Sequence, residues 1–143
     1  MAKKRWKKIV VHYADGNLLK GRTSDFRATD DTFHICDTSK KEHLVFVSDL
    51  KAVFFVTSLE GDPSYRERKG FHKKRKKYKK VMVEFSDGEL LFGFTNPTYT
   101  GDGPGFFMFP GDPNSNNIRV FIVRAATKRV RVRDQTQQEE VFS

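Results

Sequence analysis

The stretch KKIVVHYADGNLLKGRT, residues 7–23, returns as KKVMVEFSDGELLFGFT at residues 79–95. Nine of the 17 positions are identical at a constant offset of 72. Ile9, Val11 and Tyr13 alternate with Val10 and His12, the period-2 pattern of a strand with one buried face. Asp15-Gly16 follows, a dipeptide suited to the positive φ angles of a tight hairpin turn. Residues 18–23 then read as the returning strand, with Gly21 at a bend or close approach. The second copy repeats each step through Val81, Val83, Phe85, Asp87-Gly88 and Gly93. A duplicated strand–turn–strand sets the architecture and divides the chain into two units.

Working outward, residues 24–31 read as a polar loop anchored by Phe26. Residues 32–36, 43–47 and 51–56 read as strands three, four and five of the first unit. In the second unit their places fall to residues 106–109, 118–124 and 127–132. The connections are too short for crossover helices, which argues against a parallel α/β sheet. A small, strongly bent five-stranded sheet manages its edges by closing towards a barrel. The expected fold is therefore all-β, with two tandem five-stranded small barrels packed together and joined by a basic linker. The expected divisions are a first barrel with its lead-in over 1–58, a linker over 59–80, a second barrel over 81–133 and a flexible tail over 134–143.

The formal charge of +9 is unevenly placed. Residues 1–8 hold five cations, and residues 66–80 hold ten against the single Glu67. The rest of the chain carries 12 cations and 17 anions, a net of −5. Basicity thus sits in two segments, each just ahead of a first strand. Such blocks make poor core and good contacts to polyanions. No apolar run reaches the ~18 residues of a membrane span, and the basic N-terminal stretch lacks the apolar region of a secretory signal. The lone Cys36 has no internal disulfide partner, so a reducing cytoplasm is the expected location.

The pattern of apolar-x-apolar, DG, L-x-G-x-T and a two-strand closure resembles the first and second motifs of Sm-like small barrels, which implies that the two five-stranded units are Sm-like or SH3-like. The chain also resembles an uncharacterised bacterial family with the segments DG-x-L-L-x-G-x-T, DLKAVFFV and PGFFxFPxDPxSNNxRVF, here residues 15–23, 49–56 and 104–121. The bacterial resemblance implies a source and a fold rather than an activity. The Sm resemblance implies RNA binding, read in that family by an Asn in the third-strand loop and by an Arg-Gly-Asn turn. Asp30-Asp31-Thr32 and Ser48-Asp49-Leu50 stand in those places here, so the family's RNA-reading residues do not carry over.

The candidate nucleic-acid-binding residues are those of the two lead-ins. They are Lys3, Lys4, Arg5, Trp6, Lys7 and Lys8 in the first, and Lys73, Lys74, Arg75, Lys76, Lys77, Tyr78, Lys79 and Lys80 in the second. Each set places cations around one aromatic. Cations neutralise phosphates with release of counterions, and an aromatic among them can stack on an unpaired base. The bland alternative is a solvated charge run whose aromatic folds back onto the barrel. Phe92 and Phe94 replace Lys20 and Arg22 of the first copy and form a candidate protein interface, unless the first barrel or the linker covers them.

Four histidines, His12, His34, His43 and His72, show no metal-ligand spacing, and Cys36 has no base to activate it. His12 and His34 read as solvent-facing strand residues. The segment Asn96-Pro97-Thr98-Tyr99-Thr100-Gly101 faintly resembles half of the cyclic-dinucleotide motif of PilZ barrels, without a clean arginine partner motif. The expectation is a non-enzymatic protein that binds nucleic acid, RNA or a ribonucleoprotein surface above all, with no cofactor, no metal and no membrane. The alternatives are a protein-interaction adapter and, more remotely, a cyclic-dinucleotide module.

Overall fold

The computed structural model describes residues 5–61, 64–71, 77–134 and 139–142. The chain is all-β. In the first copy the strands are β1 (Lys7–Tyr13), β2 (Leu18–Thr23), β3 (Thr32–Asp37), β4 (Glu42–Phe46) and β5 (Leu50–Val56). In the second they are β6 (Lys79–Phe85), β7 (Leu90–Thr95), β8 (Gly105–Pro110), β9 (Asn117–Val123) and β10 (Thr127–Arg133). A last strand, β11 (Glu139–Phe142), follows. One-turn 3₁₀ segments, Val47–Asp49 and Arg124–Ala126, link fourth to fifth strands in both copies.

The repeated residues form the same local structure twice. Gly16 and Gly88 take φ of +96° and +93°, and each N–H bonds back to the carbonyl of Tyr13 (3.1 Å) or Phe85 (2.9 Å). Asp15 and Asp87 accept the backbone N–H of Asn17 (2.9 Å) and Glu89 (3.0 Å), bracing the turn. Gly21 and Gly93 lie so close to β3 and β8 that a methyl group would collide with the carbonyl oxygen of Cys36 or Phe109. Thr23 and Thr95 are both buried, and their hydroxyls donate to the carbonyls of His34 (2.7 Å) and Phe107 (3.0 Å). The L-x-G-x-T signature therefore encodes the tight docking of the second strand on the third.

The two five-stranded units expected from the repeat are joined by one continuous ladder. All eleven strands form one open antiparallel sheet in the order β11-β10-β6-β7-β8-β9-β5-β1-β2-β3-β4. Hydrogen bonding passes from copy to copy at a seam, where β5 pairs with β9. The sheet ends at β4 and β11. The physical reason lies in β5 and β9, which are apolar on both faces. Ala52, Phe54 and Val56 point into one core with Val120 and Ile122; Val53 and Phe55 point into the other with Phe121 and Val123. Each core thus takes side chains from both copies. Residues 139–142, expected in a frayed tail, instead add a strand to β10.

The linker is anchored on the second copy. Asp112 is buried, and its carboxylate accepts the Tyr65 hydroxyl and the N–H groups of Arg68 (2.7 Å) and Asn114 (2.9 Å). Ser115 donates its hydroxyl to Glu67. Phe71 lies edge-on to Phe92 and Phe94, with ring centroids 5.9 and 5.8 Å away.

Candidate nucleic-acid interface

The first lead-in runs straight into β1, so strand geometry aims its residues. Lys7 shares the face of Ile9 and Val11, while Lys8 shares that of Val10 and stands opposite Arg22. Both lysines are exposed. On the Lys7 side, the seam brings in a cation from far away in sequence. Arg119 of β9 is the cross-strand partner of Phe55. Its guanidinium carbon lies 4.4 Å from the ring centroids of both Phe55 and Phe107, and the Lys7 ammonium lies 6.0 Å from that of Phe55. The π faces hold the cations in place, each contact contributing about 0.5–1 kcal/mol where water has access.

The electrostatics of this cluster are one-sided. The Arg119 charge pulls the Lys7 pKa down, with burial and Arg5 adding to it. Burial likewise lowers the Arg119 pKa. Among the described residues, no carboxylate forms an ion pair with Arg5, Lys7 or Arg119. Lys7 and Arg119 thus meet on an aromatic floor with Arg5 nearby, and among the described residues no ion pair offsets their charge.

Trp6 lies on the opposite side of the chain from Lys7. It is 54% exposed and lines a groove of about 490 Å³ with Arg22, Cys36, Thr38 and Lys40. Asp37, also in the groove, is already engaged by His43 Nε2 (2.7 Å) and by the N–H groups of Ser39 and Lys41. The indole is therefore open to stacking, with two cations at the groove wall.

The second lead-in is built differently. Lys3, Lys4, Lys73, Lys74, Arg75 and Lys76 lie outside the described residues. Lys77 is exposed, whereas Tyr78, Lys79 and Lys80 are half-buried. The Tyr78 ring packs 5.6 Å from Phe109, and the Lys80 ammonium sits 5.3 Å over Phe71. Phe94 is only 2% exposed and Phe92 is half-buried, both beneath Phe71. The linker is thus what covers that pair. His12 also departs from its expected solvent position: its ring lies 4.2 Å from Phe54, and burial pushes its pKa down to about 4. His34 is exposed and pairs with Asp25 at 2.7 Å. Among the described residues no group of three or more His, Cys, Asp or Glu side chains could hold a metal ion. No described helix is long and apolar enough to cross a membrane.

Sequence reasoning named Arg5, Trp6 and Lys7 as candidates but did not name Arg119, Arg22 or Lys40, which the structure places beside them. The one available signal was Arg119 itself, a lone cation in the otherwise apolar run of residues 118–123.

The fold and the site together define an all-β protein whose seam presents cations on an aromatic floor. The chain belongs to a family of unknown function, DUF6982, matched over residues 5–133. Comparisons with curated proteins and with solved structures gave no match.

Proposed function

We propose that this protein binds single-stranded nucleic acid, RNA above all, without catalysing a reaction. The observation that carries the reading is the meeting of Lys7 and Arg119 on the Phe55 and Phe107 rings, with Arg5 close enough to lower the Lys7 pKa and no carboxylate paired to the three among the described residues. Phosphates would supply the missing negative charge, and Trp6 would stack on a base from the other side of the lead-in. In each copy the first strand lies between the second and the fifth. That order supports reading each copy as a half-open Sm-like barrel sharing one seam. The second lead-in adds phosphate contacts, while Tyr78, packed on Phe109, contributes less to stacking than Trp6.

Trp6 is the only tryptophan, so its emission reports on the site directly. Titration with a short single-stranded oligoribonucleotide quenches it, and rising salt reverses the quench. Arg119→Gln weakens binding about tenfold and flattens the log-affinity against log-salt slope by about 0.7, as for one lost phosphate contact. Deleting residues 1–8 with neutralisation of the lysines and arginine in 73–80 abolishes binding. Unchanged affinity for a mixed RNA pool after both edits would sink the proposal.

A further inference from the structure

The two copies are joined edge to edge, and the joint has a definite register. Ala52, Val53, Phe54 and Phe55 of β5 stand opposite Ile122, Phe121, Val120 and Arg119 of β9. The joint therefore unites the fifth strand of one copy with the fourth strand of the other. The remaining fourth and fifth strands are β4 and β10, which lie towards the two ends of the sheet.

Among the described residues β4 pairs with β3 alone, and its other edge can be read from its neighbour. The N–H of His34 donates to the Asp25 carboxylate (2.9 Å), and its carbonyl accepts the Thr23 hydroxyl (2.7 Å). Both groups thus point towards β2. His34 stands opposite Leu44. By the alternation of an antiparallel ladder, the N–H and C=O of Leu44 then turn to the open side, as do those of Glu42 and Phe46. The side chains of Leu44 and Phe46 are 52% and 49% exposed. An edge with free backbone groups and apolar side chains is a template for another strand.

The matching edge on β10 is already taken. β11 sets Phe142, Val141, Glu140 and Glu139 opposite Val130, Arg131, Val132 and Arg133. Glu139 pairs with Arg133 at 3.1 Å and with Arg131 at 3.8 Å. Phe142 lies edge-on to Tyr99, with ring centroids 5.2 Å apart, and fills the space over Gly101. The strand pairings of the two copies superpose residue for residue, bulge included. Carrying the β5–β9 register onto β10 and β4 places Leu44 opposite Val130, His43 opposite Arg131 and Glu42 opposite Val132. β11 presents an apolar residue and a carboxylate, Phe142 and Glu140, at those same first and third positions.

We infer that β11 is a built-in cap on an assembly edge, occupying the place on β10 where β4 of a second copy of the chain would dock. The contact is heterologous, since each copy contributes a different edge, so uncapped chains join head to tail.

Sedimentation velocity over a concentration series tests this, with circular dichroism confirming that each variant is folded. Two variants uncap the edge. One lacks residues 134–143; the other is full length with Glu139→Arg and Glu140→Arg, which sets like charges against Arg131 and Arg133. The expected result is a monomeric native chain and concentration-dependent association of the uncapped variants. Adding Leu44→Pro removes an N–H from the open edge without touching the β3 ladder, and returns the uncapped variants to monomer. Monomeric behaviour of both folded uncapped variants overturns the inference. So does association that survives Leu44→Pro.

Discussion

Single residues carry the sharpest consequences. Gly21 and Gly93 were legible as special positions because each interrupts a strand, and the close approach of Cys36 and Phe109 gives the reason. Gly21→Ala is expected to destabilise by about 1–3 kcal/mol through overpacking, measured as a lower urea midpoint with unchanged slope. Two buried or half-buried titratable groups make stability depend on pH. Burial alone would raise the Asp112 pKa, but the Tyr65 hydroxyl and the N–H groups of Arg68 and Asn114 overcome it and hold it at about 2. Its folded value lies below its unfolded value of roughly 4, so its contribution is present above pH ~4 and is lost as pH falls towards 2. His12 is a base with a depressed pKa of about 4 against an ordinary 6.5. The unfolded chain takes the proton first, so stability is lost as pH falls from 6.5 to 4. His12→Phe keeps an aromatic ring against Phe54 and should flatten the urea midpoint across that window. An unchanged slope with pH in this variant would place the proton uptake elsewhere.

At the scale of elements, the hairpins were the most readable part of the chain. The alternation of Ile9, Val11 and Tyr13, the Asp-Gly turn and the return strand all rest on contacts within about 17 residues, and they form as expected. β5 and β9 were readable as strands but not as partners. An unbroken apolar run states that both faces are buried; it does not state against what. The pairing follows only when β9 of one copy meets β5 of the other, since each then completes a core that neither copy fills alone. Phe121→Ala, which removes a 1% exposed ring from the seam, is expected to cost about 3–5 kcal/mol. Because the cores share strands, Trp6 emission and far-UV circular dichroism should still report one coincident melting transition. Two separated transitions in the native chain would show that the copies fold independently. β11 escaped sequence reading because Glu139 and Glu140 make the segment look solvated. Only where Glu139 meets Arg131 and Arg133 does its charge favour a strand.

The whole molecule sets where charge can act. The basic lead-ins were visible as runs of lysine and arginine, and their position ahead of β1 and β6 followed from the repeat. Their equivalence did not survive folding: Trp6 stands open beside Arg22 and Lys40, while Tyr78 packs on Phe109. Trp6→Ala should therefore weaken binding of an unpaired oligoribonucleotide by about 1–3 kcal/mol, as for one lost stacking contact, and Tyr78→Ala by less, both measured by fluorescence anisotropy. Equal losses would mean that the lead-ins act alike. By itself the sequence determined the all-β class, the duplicated hairpins and the concentration of positive charge, because propensity, turn chemistry and charge runs act over short distances along the chain. The tertiary structure decided the seam, the two sheet ends and the placing of Arg119 beside Lys7. Those depend on which edges and apolar faces find each other between strands far apart along the chain, as Ala52 does with Ile122, and that choice is made by burial and backbone hydrogen bonding between segments the sequence keeps apart.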